Sequence, residues 1–142
     1  MKTSGGGYYL IPAGPSIGTV VTSSASADTY GSWTQMRAAS GNALYIVGVE
    51  VRAAPNDSIT YTQVDLGTGG AGAETSVSEV KVIAHRAISS TRTYGAFKVE
   101  LPYPIPVAAS TRIAVRTADN VASALNHEIT LHVIDQADVV SI

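Results

Sequence analysis

Apolar and polar residues alternate in short runs through most of this chain, and nowhere does a 3.6-residue period persist. Tyr94 to Leu101 is the plainest run. Phe97, Val99 and Leu101 point to one side, and Lys98 and Glu100 to the other, the pattern of a strand with one buried and one solvated face. Ser58 to Leu66 gathers Thr60, Thr62, Val64 and Leu66 on one face. Ser76 to Ile88 opposes Val80, Val82 and Ala84 to Lys81, Ile83 and His85. Arg112 to Thr117 turns Ile113 and Val115 in and Arg112 and Arg116 out, and His127 to Ile134 sends Ile129, Leu131 and Val133 inward. Ala43 to Ala54 is the strongest run. Its spacing puts Tyr45, Val47, Val49, Val51 and Ala53 on one face and Leu44, Ile46, Gly48, Glu50 and Arg52 on the other, so it is expected to begin deep and end at the rim. Ile17 to Thr22 and Ser32 to Arg37 are read as further strands.

Turn signals separate these runs. Pro55-Asn56-Asp57 is one, and Gly67 to Gly72 is a glycine loop. Pro102, Pro104 and Pro106 are expected to form an extended connection without ladder donors. About eight strands at such spacing predict an all-β fold, a single antiparallel β-sandwich of jelly-roll type. Residues 1–16 are read as an extended N-terminal arm ahead of a sandwich spanning 17–142. Its Gly5–Gly7 run is flexible, Pro12, Gly14 and Pro15 oppose ladder pairing, and Tyr8, Tyr9, Leu10 and Ile11 need a surface to lie on.

Composition narrows the function. A chain of 142 residues is one domain, long enough to bury a core without staples. It has no Cys, hence no disulfide, thiolate metal site or Cys nucleophile. The net charge of −2 and the lack of a Lys/Arg cluster argue against nucleic acid as a partner. No run approaches the length of a membrane helix, and no signal-peptide core follows Met1, so a non-membrane chain without its own export signal is expected. Charged residues are only 14% of the chain, against about 25% in ordinary domains. Either neighbouring subunits cover much of the surface, or the exterior is a neutral Ser/Thr one.

The candidate chemistry is thin. Gly67-Thr68-Gly69-Gly70-Ala71-Gly72 fits the dinucleotide pattern of glycines, but no helix opens after it to hold a pyrophosphate, so the reading is a turn whose glycines take positive φ. His127, Glu128 and His132 miss the zinc-protease spacing by one residue and would face opposite ways on a strand. His132, beside Glu128 and Thr130, is read as solvated. No nucleophile elbow occurs, and nothing selects a carboxylate pair among Asp65, Glu74, Glu79 and Glu100. Tyr30, Trp33, Tyr8 and Tyr9 offer a sugar-stacking platform, with core packing the favoured reading. The expectation is therefore a protein with no enzymatic activity, cofactor or metal.

Three stretches carry a resemblance: Ser32-Trp33-Thr34-Gln35; Tyr61 to Glu74, in which Asp65-Leu66-Gly67 leads into a Gly/Ala loop and a Glu; and Leu101 to Arg116, in which a proline segment leads into Thr111-Arg112-Ile113. Together they resemble small structural proteins of tailed bacteriophage virions, a resemblance read as extending over roughly half the chain. Ser110 stands where that pattern has Gly. The resemblance implies a virion component assembled in the host cytoplasm. Foremost among such components is a capsid decoration (cement) protein that binds the major capsid protein and itself, as a homotrimer. The alternatives are a tail, baseplate or fibre component, or a carbohydrate-binding adhesion module for a host-surface glycan. Partner contacts are expected at the apolar ends, through Tyr8, Tyr9, Leu10 and Ile11 and through Val139, Val140 and Ile142.

Overall fold

The computed structural model of the protein describes residues 7–13, 18–56, 58–83 and 97–139. Ile17, Ala84, His85, Tyr94, Val140 and Ile142 therefore lie outside the described residues. The strands are β1 (Tyr8–Ile11), β2 (Thr19–Thr22), β3 (Thr34–Arg37), β4 (Leu44–Arg52), β5 (Tyr61–Thr68), β6 (Thr75–Ile83), β7 (Phe97–Val107), β8 (Ile113–Asp119) and β9 (Asn126–Asp135). A 3-10 turn, Gln136–Asp138, follows β9.

Two antiparallel sheets face each other. One has the order β1-β9-β4-β7 with β2 also on β9, and the other β3-β8-β5-β6. The pairings nest around the β5–β6 hairpin: β4 with β7, β3 with β8, β2 with β9. Successive pairs fall in alternate sheets, which is the jelly-roll arrangement. β1 and β2 run along β9 end to end, Ile11 opposite Leu131 and Thr19 opposite Ile129. They are one strand interrupted, so nine segments fill eight strand positions.

The core matches the alternation. Val64, Leu66, Ile113, Val115, Ile129, Leu131 and Val133 are fully buried between the sheets. β4 departs from the expected faces. Its register slips between Ile46 and Gly48, against both β7 and β9. Val47 is thus a bulge residue, and one extra residue reverses which side chains face in. Leu44 and Ile46 are buried before it and Val49 and Val51 after it, while Tyr45 and Val47 face outward.

The same slip explains the prolines, which are not a connection. Among the described residues Phe97–Val107 pairs only with β4 and forms an edge strand, where missing N–H groups cost no ladder bond on the outer side. Residues 101–104 stand opposite Val47 alone, leaving Tyr103 80% exposed. In the following turn Ser110 takes φ +58°, the left-handed region where glycine is the easy occupant, and its N–H bonds Gly41 O at 2.8 Å. Among the described residues no helix is long and apolar enough to cross a membrane.

Candidate functional site

The bulge builds the most distinctive surface of the molecule. On the outer face of the five-stranded sheet, Tyr8 is opposite Ile134, Ile134 opposite Tyr45, and Tyr45 opposite Pro106. Directly opposed residues share a face, so these four form an apolar row across every strand position of the sheet. Without the slip at Val47, either Tyr45 would be buried or Val49 exposed. Beside the row Tyr45, Val47, Pro104, Ile134 and Val139 line an open hollow of about 430 Å³. Tyr8 is 48% exposed and Val139 51%. Val139 reaches the hollow because the 3-10 turn folds back after β9, capped by Asp135, whose side chain accepts from Ala137 N.

The expected partner residues divide accordingly. Tyr8 and Val139 belong to this face, and Leu10 shares it, opposite His132. Tyr9 and Ile11 lie opposite Val133 and Leu131 on the other face; Tyr9 stays 36% exposed, and Ile11 joins the core. Val140 and Ile142 are outside the described residues. Tyr45, Val47, Pro104 and Ile134 were not singled out from sequence, because period-two counting placed Tyr45 and Val47 on the buried side.

β1 also changes the reading of His132. Rather than solvated, it is 6% exposed. Its Nε2–H donates to Glu50 Oε2 at 2.9 Å, so Nδ1 is left to accept from the Tyr8 hydroxyl. The sequence reading treated residues 8–11 as an arm; paired on β9, they roof the histidine.

On the other sheet the aromatic residues gather round a guanidinium, beside an open polar hollow of about 510 Å³ lined by Tyr30, Ser32 and Thr34, and Ile83 of β6 stays 75% exposed. The Arg116 guanidinium lies 4.6 Å from the Tyr30 ring and 4.4 Å from the Trp33 ring. Its Nε donates at 2.8 Å to Asp65, whose side chain is fully buried, and Ser76 Oγ donates to the same carboxylate. Tyr30 donates to Glu79 at 2.7 Å, and burial together with that carboxylate pushes its pKa well up. Trp33 covers Gly67 so closely that a Cβ there would sit 2.5 Å from the ring. The guanidinium thus takes one face of each ring, on the outside of the sheet rather than in the core.

The three stretches that carry the phage resemblance meet here. Arg112 donates to Glu74 at 2.7 Å, to Gln35 at 3.0 Å and to Gly69 O at 3.4 Å, while Trp33 sits on Gly67. Gly69 and Gly72 have φ of +123° and +81°, as the glycine-turn reading requires. Burial pushes the Glu74 pKa up, but its backbone bonds and Arg112 outweigh that and hold it below the usual range. These contacts pin the β5–β6 hairpin to β8 and β3.

His127 and Asp119 are the other buried pair, Nε2 to Oδ2 at 2.8 Å, at 0% and 1% exposure. Nδ1 accepts from Ala54 N at 3.0 Å, so both nitrogens are engaged and no hydroxyl nucleophile meets the ring. Among the described residues no cluster of three or more His, Asp or Glu is placed to hold a metal ion. No family model matches this chain, and no curated protein does.

Proposed function

We propose that this protein is a non-enzymatic structural component of a tailed-phage virion, a decoration subunit that docks on the outer capsid through the apolar face of its five-stranded sheet. The observation that carries the reading is the Tyr8–Ile134–Tyr45–Pro106 row with the hollow beside it. Covering such a face removes apolar surface from water, worth about 25 cal/mol per Å² before the costs of association. The low charge supports a covered surface, and the jelly roll is a frequent architecture of capsid and lectin domains, which is support by analogy of fold alone.

In this reading the partners are the major capsid protein and further copies of the chain, as a homotrimer, in virions assembled in the host cytoplasm. Each subunit bridges capsid subunits and adds buried area at their junctions, raising resistance to internal pressure. The guanidinium of Arg116 on one face of Tyr30 and Trp33 favours the decoration reading over the sugar-binding alternative, which keeps the exposed Tyr8 and Tyr9.

Quantitative mass spectrometry of purified virions tests the proposal. A copy number comparable to that of the major capsid protein is expected. A number matching tail or fibre proteins moves the chain to the tail, and absence from virions overturns the reading.

A further inference from the structure

The end of the sandwich that carries the connections 23–33 and 53–60 is held by one polar cluster. Asp119 and Asn120, leaving β8, gather it. Asp119 O accepts from Asp28 N at 2.7 Å, and its Oδ1 from Val121 N at 2.9 Å. Asn120 accepts from Thr60 N and donates to Ser58 O, both at 2.8 Å. His127, on the other sheet, ties this cluster to Ala54.

The hydrogen bonds fix the state of the His127 ring. A backbone N–H can only donate, so Nδ1, which receives the Ala54 N–H, carries no proton. Nε2 then holds the single ring proton and gives it to Asp119. A second proton has one place to go, Nδ1, where it would meet the Ala54 N–H donor to donor. Protonation therefore requires that the Ala54 bond break, and it places a cation at a site with 0% exposure.

We infer that His127 is an acid-sensitive latch: a proton on Nδ1 releases Ala54, and with it the described stretch 53–56, from β9 while the two sheets stay assembled. Charge around the ring reinforces this. Asp119, from β8, is the titratable side chain that it bonds. β2, with Val21 opposite His127, carries no ionisable group. From β4, Arg52 pairs with Glu128 at 3.8 Å on the outer face of the sheet, and the Asp28 carboxylate is taken by the Tyr61 hydroxyl. Burial lowers the His127 pKa, and Asp119 opposes that only in part.

The sign follows. The open state has an ordinary histidine pKa near 6.5 and the closed state a lower one, so the open state binds more protons as pH falls. Closure is at full strength above about pH 6.5. Below that, opening becomes up to tenfold easier per pH unit until the closed-state pKa is reached. Glu74, held below the usual carboxylate range, adds its own loss only at lower pH.

Amide hydrogen exchange between pH 7 and 5, corrected for intrinsic rates, tests this on the intact protein, with ring ¹⁵N shifts reporting the His127 tautomer. The expected result is a neutral Nε2–H ring at pH 7 and protection at Ala54 falling tenfold or more by pH 5, while Ile46 and Leu131 keep theirs. Unchanged Ala54 protection at pH 5, or a ring that titrates near 6.5 without any change at Ala54, overturns the latch. H127Q supplies a second arm. Its Ala54 protection is expected to be low and flat with pH, and a wild-type slope in that variant overturns the proposal. If the variant does not fold, the wild-type titration decides alone.

Discussion

The two outer faces of this sandwich spend their aromatic residues in opposite ways. On the four-stranded sheet Tyr30 and Trp33 close over Arg116, the carboxylate of Asp65 lies under them, and each polar group named there has a partner. On the five-stranded sheet Tyr8 and Tyr45 lie in an open row beside Ile134, with a hollow next to them. On the first face the guanidinium takes one side of both rings, although Ile83 and a polar hollow beside Tyr30 stay open. The second leaves apolar surface uncovered, and contiguous apolar surface of that kind is where partners bind. The difference teaches where to look for function: the richest chemistry of the molecule serves its fold, and the plainest surface is the available one.

The contrast breaks most readily at Arg116. R116A leaves the buried Asp65 carboxylate without its cation and removes the filling between two rings. A loss of about 3 kcal/mol is expected, discounted from the range for fully buried pairs because Arg116 is partly exposed; urea denaturation measures it. Next is G67A, whose Cβ collides with the Trp33 ring. About 2 kcal/mol should be lost and Trp33 fluorescence altered; an unchanged spectrum with full stability would mean that the ring does not lie on Gly67.

The open face should respond more weakly. Y8F leaves Nδ1 of His132 without its donor, at a cost of about 1 kcal/mol by thermal denaturation, with faster exchange along β1. V139D, at an exposed position, should change stability by less than about 0.5 kcal/mol. Under the proposed function it nevertheless abolishes co-sedimentation with capsids, whereas R116A, assayed below its unfolding midpoint, retains it. Capsid binding by V139D at the wild-type level would remove the hollow from the docking surface.

How much of this was legible in sequence follows from the range of each cause. The strand faces of β5, β8 and β9 could be read because alternation is a local property, and residues such as Val64, Val115 and Leu131 lie where it puts them. The switch at Val47 could not, since one inserted residue in an apolar run such as Leu44–Val49 leaves no trace in composition. His132 was misread for a different reason. Its partner Tyr8 is 124 positions away, and nothing near His132 announces a roof. Likewise Arg112 and Glu74 stood out only as parts of a pattern, and their meeting depends on β8 and the β5–β6 hairpin being neighbours. The candidate face was half visible, through Tyr8 and Val139 but not Tyr45, Pro104 or Ile134.

The interrupted strand formed by β1 and β2 has a consequence for the order of events at the ribosome. Both segments pair with β9 alone, and β9 also supplies the inner neighbour of β4. Until β9 is made, β1 and β2 therefore lack the partner they have here, and β4 waits beside β7 with an open edge. The sheet that bears the apolar row closes only when residues 126–135 have been made. Such late, long-range closure is slow by its loop entropy, so the nascent chain is at its most adhesive just before β9 emerges.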